Sequence, residues 1–206
     1  MPKENRHKHQ LMRARIAAAA ARIMAEDGVD DFSLAKRKAA RQLGVDATHA
    51  LPDNIEIEDA LRNYQSLYQG EALRERVGAL REIALDAMQA FAQFRPYLCG
   101  PVLNGTAGKY SDIDLQLFAD DSKAVELFLL NRKLAYAVAE ERRRVGDQAR
   151  AIPVLRLDWD GVPLNLAIYP ANDERVAQRN AAGDRIIERA GVAAVRTLLT
   201  AGWQAK

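Results

Sequence analysis

The stretch Gly100-Pro101-Val102-Leu103-Asn104-Gly105-Thr106-Ala107-Gly108-Lys109-Tyr110-Ser111-Asp112-Ile113-Asp114-Leu115 decides how this chain is read. It links a short apolar strand, Tyr97 to Cys99, to a second one, Ile113 to Phe118, through a loop of small residues. Side chains alternate across a strand, so Asp112 and Asp114 share one face while Ile113, Leu115 and Leu117 turn to the core. Two carboxylates side by side repel each other unless a cation lies between them. Hard oxygen ligands of this kind suit Mg²⁺ or Mn²⁺ bound together with substrate phosphates. By itself the Asp-x-Asp pair is equally compatible with the solvated face of a strand.

Downstream, three more strands are expected, Leu134 to Ala139, Ile152 to Trp159 and Val162 to Tyr169. A helix over Lys123 to Asn131 precedes them, its start marked by Asp120, Asp121 and Ser122. Asp160-Gly161 reads as a two-residue hairpin turn. That turn fixes a register in which Trp159 faces Val162, Asp158 faces Pro163 and Arg156 faces Asn165, so Arg156, Asp158 and Asn165 share a face. If this face also bears Asp112 and Asp114, Asp158 can complete a metal site and Arg156 can bind phosphate. Asp158 reads equally well as an ordinary residue beside a turn. A last helix is expected over Asp184 to Thr200.

Upstream, the pattern is helical. Glu71 to Phe94 carries Leu73, Val77, Leu80, Ala84, Ala87, Met88 and Phe91 at the 3.6-residue period and halts before Pro96. Residues 11–70 read as a separate all-helical unit. An alanine-rich helix from Leu11 to Glu26 stops at Gly28, a second runs from an N-cap at Ser33 to Leu43, and a third follows Asp53, which forms a capping-box pattern with Glu56. Residues 1–10 are polar and are expected to form a mobile basic arm, in which His7 and His9 lack the neighbours of a metal site; His49 reads as a loop residue.

Charge and cysteine content narrow the function classes. The formal net charge of +2 across 206 residues does not imply nucleic acid, but residues 1–50 hold ten Lys/Arg against six Asp/Glu, with a cluster at Lys36, Arg37, Lys38 and Arg41. The later clusters Arg132-Lys133 and Arg142-Arg143-Arg144, the second preceded by Glu140 and Glu141, read as solvated surface. The single cysteine, Cys99, allows no intrachain disulfide, points to a reducing compartment and hence the cytoplasm, and reads as a buried structural thiol. No apolar run is long enough for a membrane span, so no membrane partner is expected. The oligomeric state is not legible.

The segment from Gly100 to Leu115 resembles the nucleotidyltransferase superfamily, whose motif is Gly-Ser, ten residues, then Asp-x-Asp. Here Gly100-Pro101 is followed by ten residues, Val102 to Ser111, and then by Asp112-Ile113-Asp114. The resemblance covers residues 75–170. It implies an α+β fold in which a nucleotidyltransferase-like mixed β-sheet flanked by helices occupies residues 71–206, after the N-terminal helical unit. It further implies that Asp112 and Asp114 are catalytic metal ligands for Mg²⁺ or Mn²⁺, with an NTP as substrate. The loop residues Gly100, Pro101, Gly105, Thr106, Lys109 and Ser111 would then surround the phosphates, since glycine lets backbone approach an anion closely. Two residues depart from the motif. Pro101 replaces the serine and removes a hydroxyl and an N–H from the turn. Asn165 stands where the superfamily places a third acid, and an amide takes no proton.

Three functions follow. The first is transfer of an NMP group from an NTP to an acceptor that is an RNA end, a protein side chain or a small molecule, with Asp158 and Arg156 as candidate substitutes in the site. The second is a core that has lost turnover and binds nucleotide or RNA. The third rests on residues 15–45, which are weakly similar to helix-turn-helix domains and would place basic helices against RNA or DNA.

Overall fold

The computed structural model describes residues 2–29, 31–45, 51–68, 70–108, 110–179 and 186–204. The chain divides into two compact units, Met1–Arg74 with Gly108–Ser111, and Glu75–Ala107 with Asp112–Lys206. No described helix is long and apolar enough to cross a membrane.

The first unit is helical. It contains α1 (Pro2–Asp27), α2 (Phe32–Gln42) and α3 (Asn54–Tyr68). The segment expected to be a mobile arm is the beginning of α1. Proline suits a first helical turn because its missing N–H would have no partner there, and no Gly or second Pro interrupts the residues that follow. Alanines on α1 and α2 let the helices pack closely, and Ile16, Ile23 and Met24 meet Ile57 and Leu61 of α3 in one buried cluster. The capping box at α3 forms in both directions: Glu56 N–H donates to Asp53 Oδ1 at 2.8 Å, and Asp53 N–H donates to Glu56 Oε2 at 2.7 Å. At α2 the cap is Asp31 rather than Ser33. Its Oδ1 accepts from Ser33 N at 2.7 Å and Leu34 N at 3.1 Å, so the helix starts two residues earlier than expected. Gly28 has φ +66°, and an added Cβ would come within 2.7 Å of the Tyr110 ring.

The second unit is α+β. Most of α4 (Gly70–Ala90) belongs to it, and a 3-10 turn at Ala92–Phe94 leads into β1 (Tyr97–Cys99), α5 (Gly100–Asn104) and β2 (Ile113–Ala119). Next come α6 (Ser122–Asn131), β3 (Tyr136–Val145), β4 (Gln148–Trp159) and β5 (Val162–Pro170). A 3-10 turn at Ala171–Arg175, β6 (Gln178–Arg179), β7 (Arg189–Ala190) and α7 (Val192–Gln204) complete it. Among the described residues the strands form one mixed sheet in the order β6-β3-β4-β5-β2-β1-β7, with β2 and β5 parallel and the other pairs antiparallel. Its two ends meet: Arg179 bridges Ile186, and Ile187 N–H donates to Gln178 O at 2.8 Å, so the sheet curls toward closure.

The faces of the curl differ. Ile113, Leu115, Leu117, Leu155, Leu157, Leu164, Leu166 and Ile168 line the outer face and are buried. Trp159 on that face meets Phe91 after α4, which also meets Phe128 of α6. The inner face carries Asp114, Gln116 and Phe118 of β2, opposite Asn165, Ala167 and Tyr169 of β5. An apolar cluster of Phe118, Val145, Ile152, Val154, Ala167 and Tyr169 fills part of it.

The Asp160-Gly161 hairpin forms in the expected register, with Trp159 opposite Val162 and Arg156 opposite Asn165. Both turn residues have positive φ, +53° and +77°, as a type I′ turn requires. β3 and β4 extend past their expected ends, because they form one continuous antiparallel ladder down to Val145 opposite Gln148, closed by the turn Gly146-Asp147 in which Gly146 has φ +58°. The last helix begins at Val192 instead of Asp184. Residues 189–190 pair with β1 as β7, and 180–185 lie outside the described residues.

Candidate functional site

In the second unit Asp114 is set by strand pairing between Cys99 on β1 and Asn165 on β5. The Asn165 amide Nδ2 donates to Asp114 Oδ1 and to Asp112 Oδ2, each at 3.0 Å. One donor group thus joins both carboxylates, and the acids converge on a single point. Burial pushes Asp114 above the ordinary carboxylate range, against the hydrogen bond from Asn165 and the charge of Arg143.

Gly100 presses on the same carboxylate. Its φ is +71°, and an added Cβ would lie 2.6 Å from Asp114 Oδ2, so no larger residue fits without moving the acid. Pro101 falls in the first turn of α5, where a missing N–H costs the helix nothing. Gly105 ends α5 in the left-handed conformation, and Thr106, which is buried, donates its N–H to Pro101 O at 3.0 Å. Arg81 from α4 fixes this turn by donating Nε to Val102 O at 3.0 Å and Nη2 to Leu103 O at 2.8 Å. Ser111, in the first unit, is buried and accepts a hydrogen bond from Gly108 N–H at 2.8 Å through its Oγ. Lys109 and His49 lie outside the described residues.

The hairpin residues are on the expected face but make other contacts. Asp158 is exposed and accepts Gly161 N–H at 2.9 Å, which closes the turn. Its row lies two strands from that of Asp112, about 10 Å at the usual strand spacing. Among the described residues no three His, Cys, Asp or Glu side chains group as a metal set, so Asp158 does not join the pair. Arg156 donates Nη2 to Glu141 Oε1 at 3.0 Å.

Sequence reasoning missed Arg143. It lies on β3 two residues after Glu141, and both turn to the inner face in the register that pairs Ala137 with Arg156. Burial would lower the Arg143 pKa, but Tyr169 and Glu141 outweigh it and hold the guanidinium charged. Burial likewise works against Glu141, while the bonds from Arg143 and Arg156 keep its carboxyl below its ordinary value. Cys99 is buried and donates to Asp114 O at 3.4 Å, and burial pushes its thiol up to about 12, so it is a structural group. In the first unit Arg37, Lys38 and Arg41 are exposed on α2. Arginines in short charge clusters look like surface, and only the length of β3 places one of them inside.

No family model matches the chain, and no curated protein matches it.

Proposed function

We propose that the protein is a Mg²⁺- or Mn²⁺-dependent nucleotidyltransferase that moves an NMP group from an NTP to an acceptor. The observation that carries this reading is the convergence of Asp112 and Asp114 on one Asn165 amide beside the left-handed Gly100. A pair of carboxylates held to one point suits a small hard cation that keeps waters and takes phosphate oxygens as its remaining ligands. Asp112 and Asp114 would hold it, with Asn165 able to offer a neutral amide oxygen in place of a third acid. When bound, such a cation supplies charge neutralisation at the phosphates and Lewis acidity at phosphorus.

The chain's own residues do the rest. Gly100 leaves the Asp114 carboxylate the room that a side chain would take, and Arg81 fixes the following turn by its two carbonyl bonds. In the transfer an acceptor oxygen forms a bond to the α-phosphorus while the bond to pyrophosphate breaks, pyrophosphate leaves with that electron pair, and the proton of a hydroxyl acceptor passes to water. The same Asn165 bridge also supports a second reading, in which the amide satisfies both acids and the core binds nucleotide without turnover.

The test is to incubate the protein with each labelled NTP, Mg²⁺ or Mn²⁺, and cellular RNA, protein and small-molecule fractions, beside Asp112→Ala/Asp114→Ala. Label transfer lost in the double variant supports the enzyme. Nucleotide binding with no transfer to any fraction supports the second reading and overturns the first.

A further inference from the structure

The aspartate pair has a cation of its own beside it. In the register of β3 and β4, Arg143 turns to the inner face of the curl, the face that carries Asp114 and its strand partner Cys99. Its side chain is largely buried, at 20% exposure. β3 and β1 stand four strand spacings apart in the sheet, about 19 Å if it were flat, which no single side chain spans. Closure of the curl removes that distance. β6 pairs with the last residues of β3, β7 pairs with Cys99, and Ile187 N–H donates to Gln178 O at 2.8 Å between them. The far end of β3 therefore faces β1 and β2 across the interior.

The charges inside agree with that placement. Arg143 acts on groups from four strands: Glu141 on its own strand, bonded at 2.8 Å through Nη2 and 3.3 Å through Nε, the Tyr169 phenol of β5, the Cys99 thiol of β1 and the Asp114 carboxylate of β2. At Asp114 the charge of Arg143 outweighs that of Asp112, which is only two residues away along the chain.

Glu141 does not cancel this charge. Its other oxygen accepts Arg156 Nη2 at 3.0 Å, so one carboxylate serves two guanidinium groups. A largely buried cation that shares its counter-ion is unfavourable unless further negative charge lies near, and the aspartate pair supplies it. The effect has two sides. Arg143 makes two adjacent carboxylates tolerable, and the same charge repels a divalent ion that the pair would hold.

We propose that Arg143 is the resident counter-cation of Asp112 and Asp114, a positioning residue that lowers the pair's affinity for a free divalent ion and limits it to one. The proposal rests on the reading of the two aspartates as metal ligands. Asn165 works in the same direction, because an amide brings no charge to hold a second ion while Arg143 already supplies positive charge to the pair.

Calorimetric titration of the full chain with Mn²⁺ tests this through the two members of one ion pair. The native chain should bind one ion. Arg143→Met removes the cation and should bind Mn²⁺ about tenfold more tightly or better. Glu141→Gln removes the anion that screens Arg143 and should bind more weakly than the native chain, and Arg143→Lys, which keeps the charge, should match it. A purely structural role predicts loss in both Arg143→Met and Glu141→Gln, since each breaks the same bonds; only an effect of charge moves them in opposite directions. Arg143→Met/Glu141→Gln covers the case in which Arg143→Met does not fold. It should also bind more tightly than the native chain, because at Asp114 Arg143 weighs more than Glu141. Equal affinity in the native chain and in the variants lacking Arg143, or two ions per native chain, overturns the proposal and leaves the metal site standing. Absence of Mn²⁺ binding by all of these chains and by Asn165→Asp overturns the metal reading of the pair, and the proposal with it.

Discussion

Asn165 holds Asp112 and Asp114 together by donating one amide nitrogen to both, at 3.0 Å in each case. The shared donor offsets the repulsion between two adjacent carboxylates. Asn165→Leu keeps the approximate volume and removes the donor, leaving the acids to repel each other. In metal-free buffer this should destabilise the second unit by about 1–3 kcal/mol. Millimolar Mg²⁺ should restore most of the loss in a urea titration, and a loss that Mg²⁺ does not touch counts against metal binding by the pair.

Gly100 sets the height of Asp114. Its φ of +71° disfavours any side chain, and a Cβ would meet the carboxylate at 2.6 Å. Gly100→Ala should therefore destabilise by about 2–4 kcal/mol, combining left-handed backbone strain with overpacking. Gly105→Ala is the control. Its φ is +79° but its nearest neighbour is 3.7 Å away, so it should show only the backbone part. Chemical denaturation of both variants measures the difference.

In the helical unit, Asp53 accepts Glu56 N–H through one oxygen and touches Arg13 through the other at 3.4 Å. The cap is the larger effect, because an exposed ion pair at that distance contributes little. Asp53→Ala should cost about 1 kcal/mol, and Asp53→Asn, which still caps, much less. Thermal unfolding of the two variants should separate them, and equal losses would show that the charge matters more than the cap.

What the sequence made legible is what local chemistry determines. The alternation of Ile113, Leu115 and Leu117 predicted β2, the Asp160-Gly161 turn predicted the register of β4 and β5, and Asp53 with Glu56 predicted the start of α3. Elements settled by distant partners were not legible. β7 is two residues long, too short for any period, and exists because it pairs with β1. The outer half of β3 carries Glu140 to Arg144, which reads as solvated until Glu141 and Arg143 are seen to pair on the inner face. Asp112, Asp114 and Asn165 therefore stood out in the sequence, while the pairing of Glu141 with Arg143 and Arg156 becomes visible only when β3 and β4 are laid side by side.

The Glu141 carboxylate has a pH consequence. Burial disfavours its charge, yet Arg143 and then Arg156 outweigh burial and lower its pKa in the fold below the ordinary 4.5. The unfolded chain therefore takes up a proton first as pH falls, and the stability contributed by these pairs is present above pH 4.5 and lost as pH drops through the lower folded value. Because Glu141 is partly exposed, the contribution should be about 1 kcal/mol or less. Glu141→Gln should be less stable than the native chain at pH 7, with the gap closing below pH 4.5. A gap that stays constant across that range would assign the effect to lost packing.

Asn165→Asp tests the metal reading from the opposite side. The substitution keeps the shape of the side chain and exchanges a neutral donor for a third carboxylate, facing two acids that the amide now joins. Without a divalent cation the three charges repel, and the variant should lose about 1–3 kcal/mol of stability. With Mn²⁺ the balance reverses. Three anionic oxygens hold a hard cation better than two, so affinity measured by calorimetry should rise at least tenfold over the native chain. Native protein that binds Mn²⁺ weakly and Asn165→Asp that binds it tightly would identify the amide as the residue that sets metal occupancy here. If neither binds Mn²⁺, the convergence of Asp112 and Asp114 serves the fold alone, and the carboxylate pair is held together for packing at the mouth of the sheet.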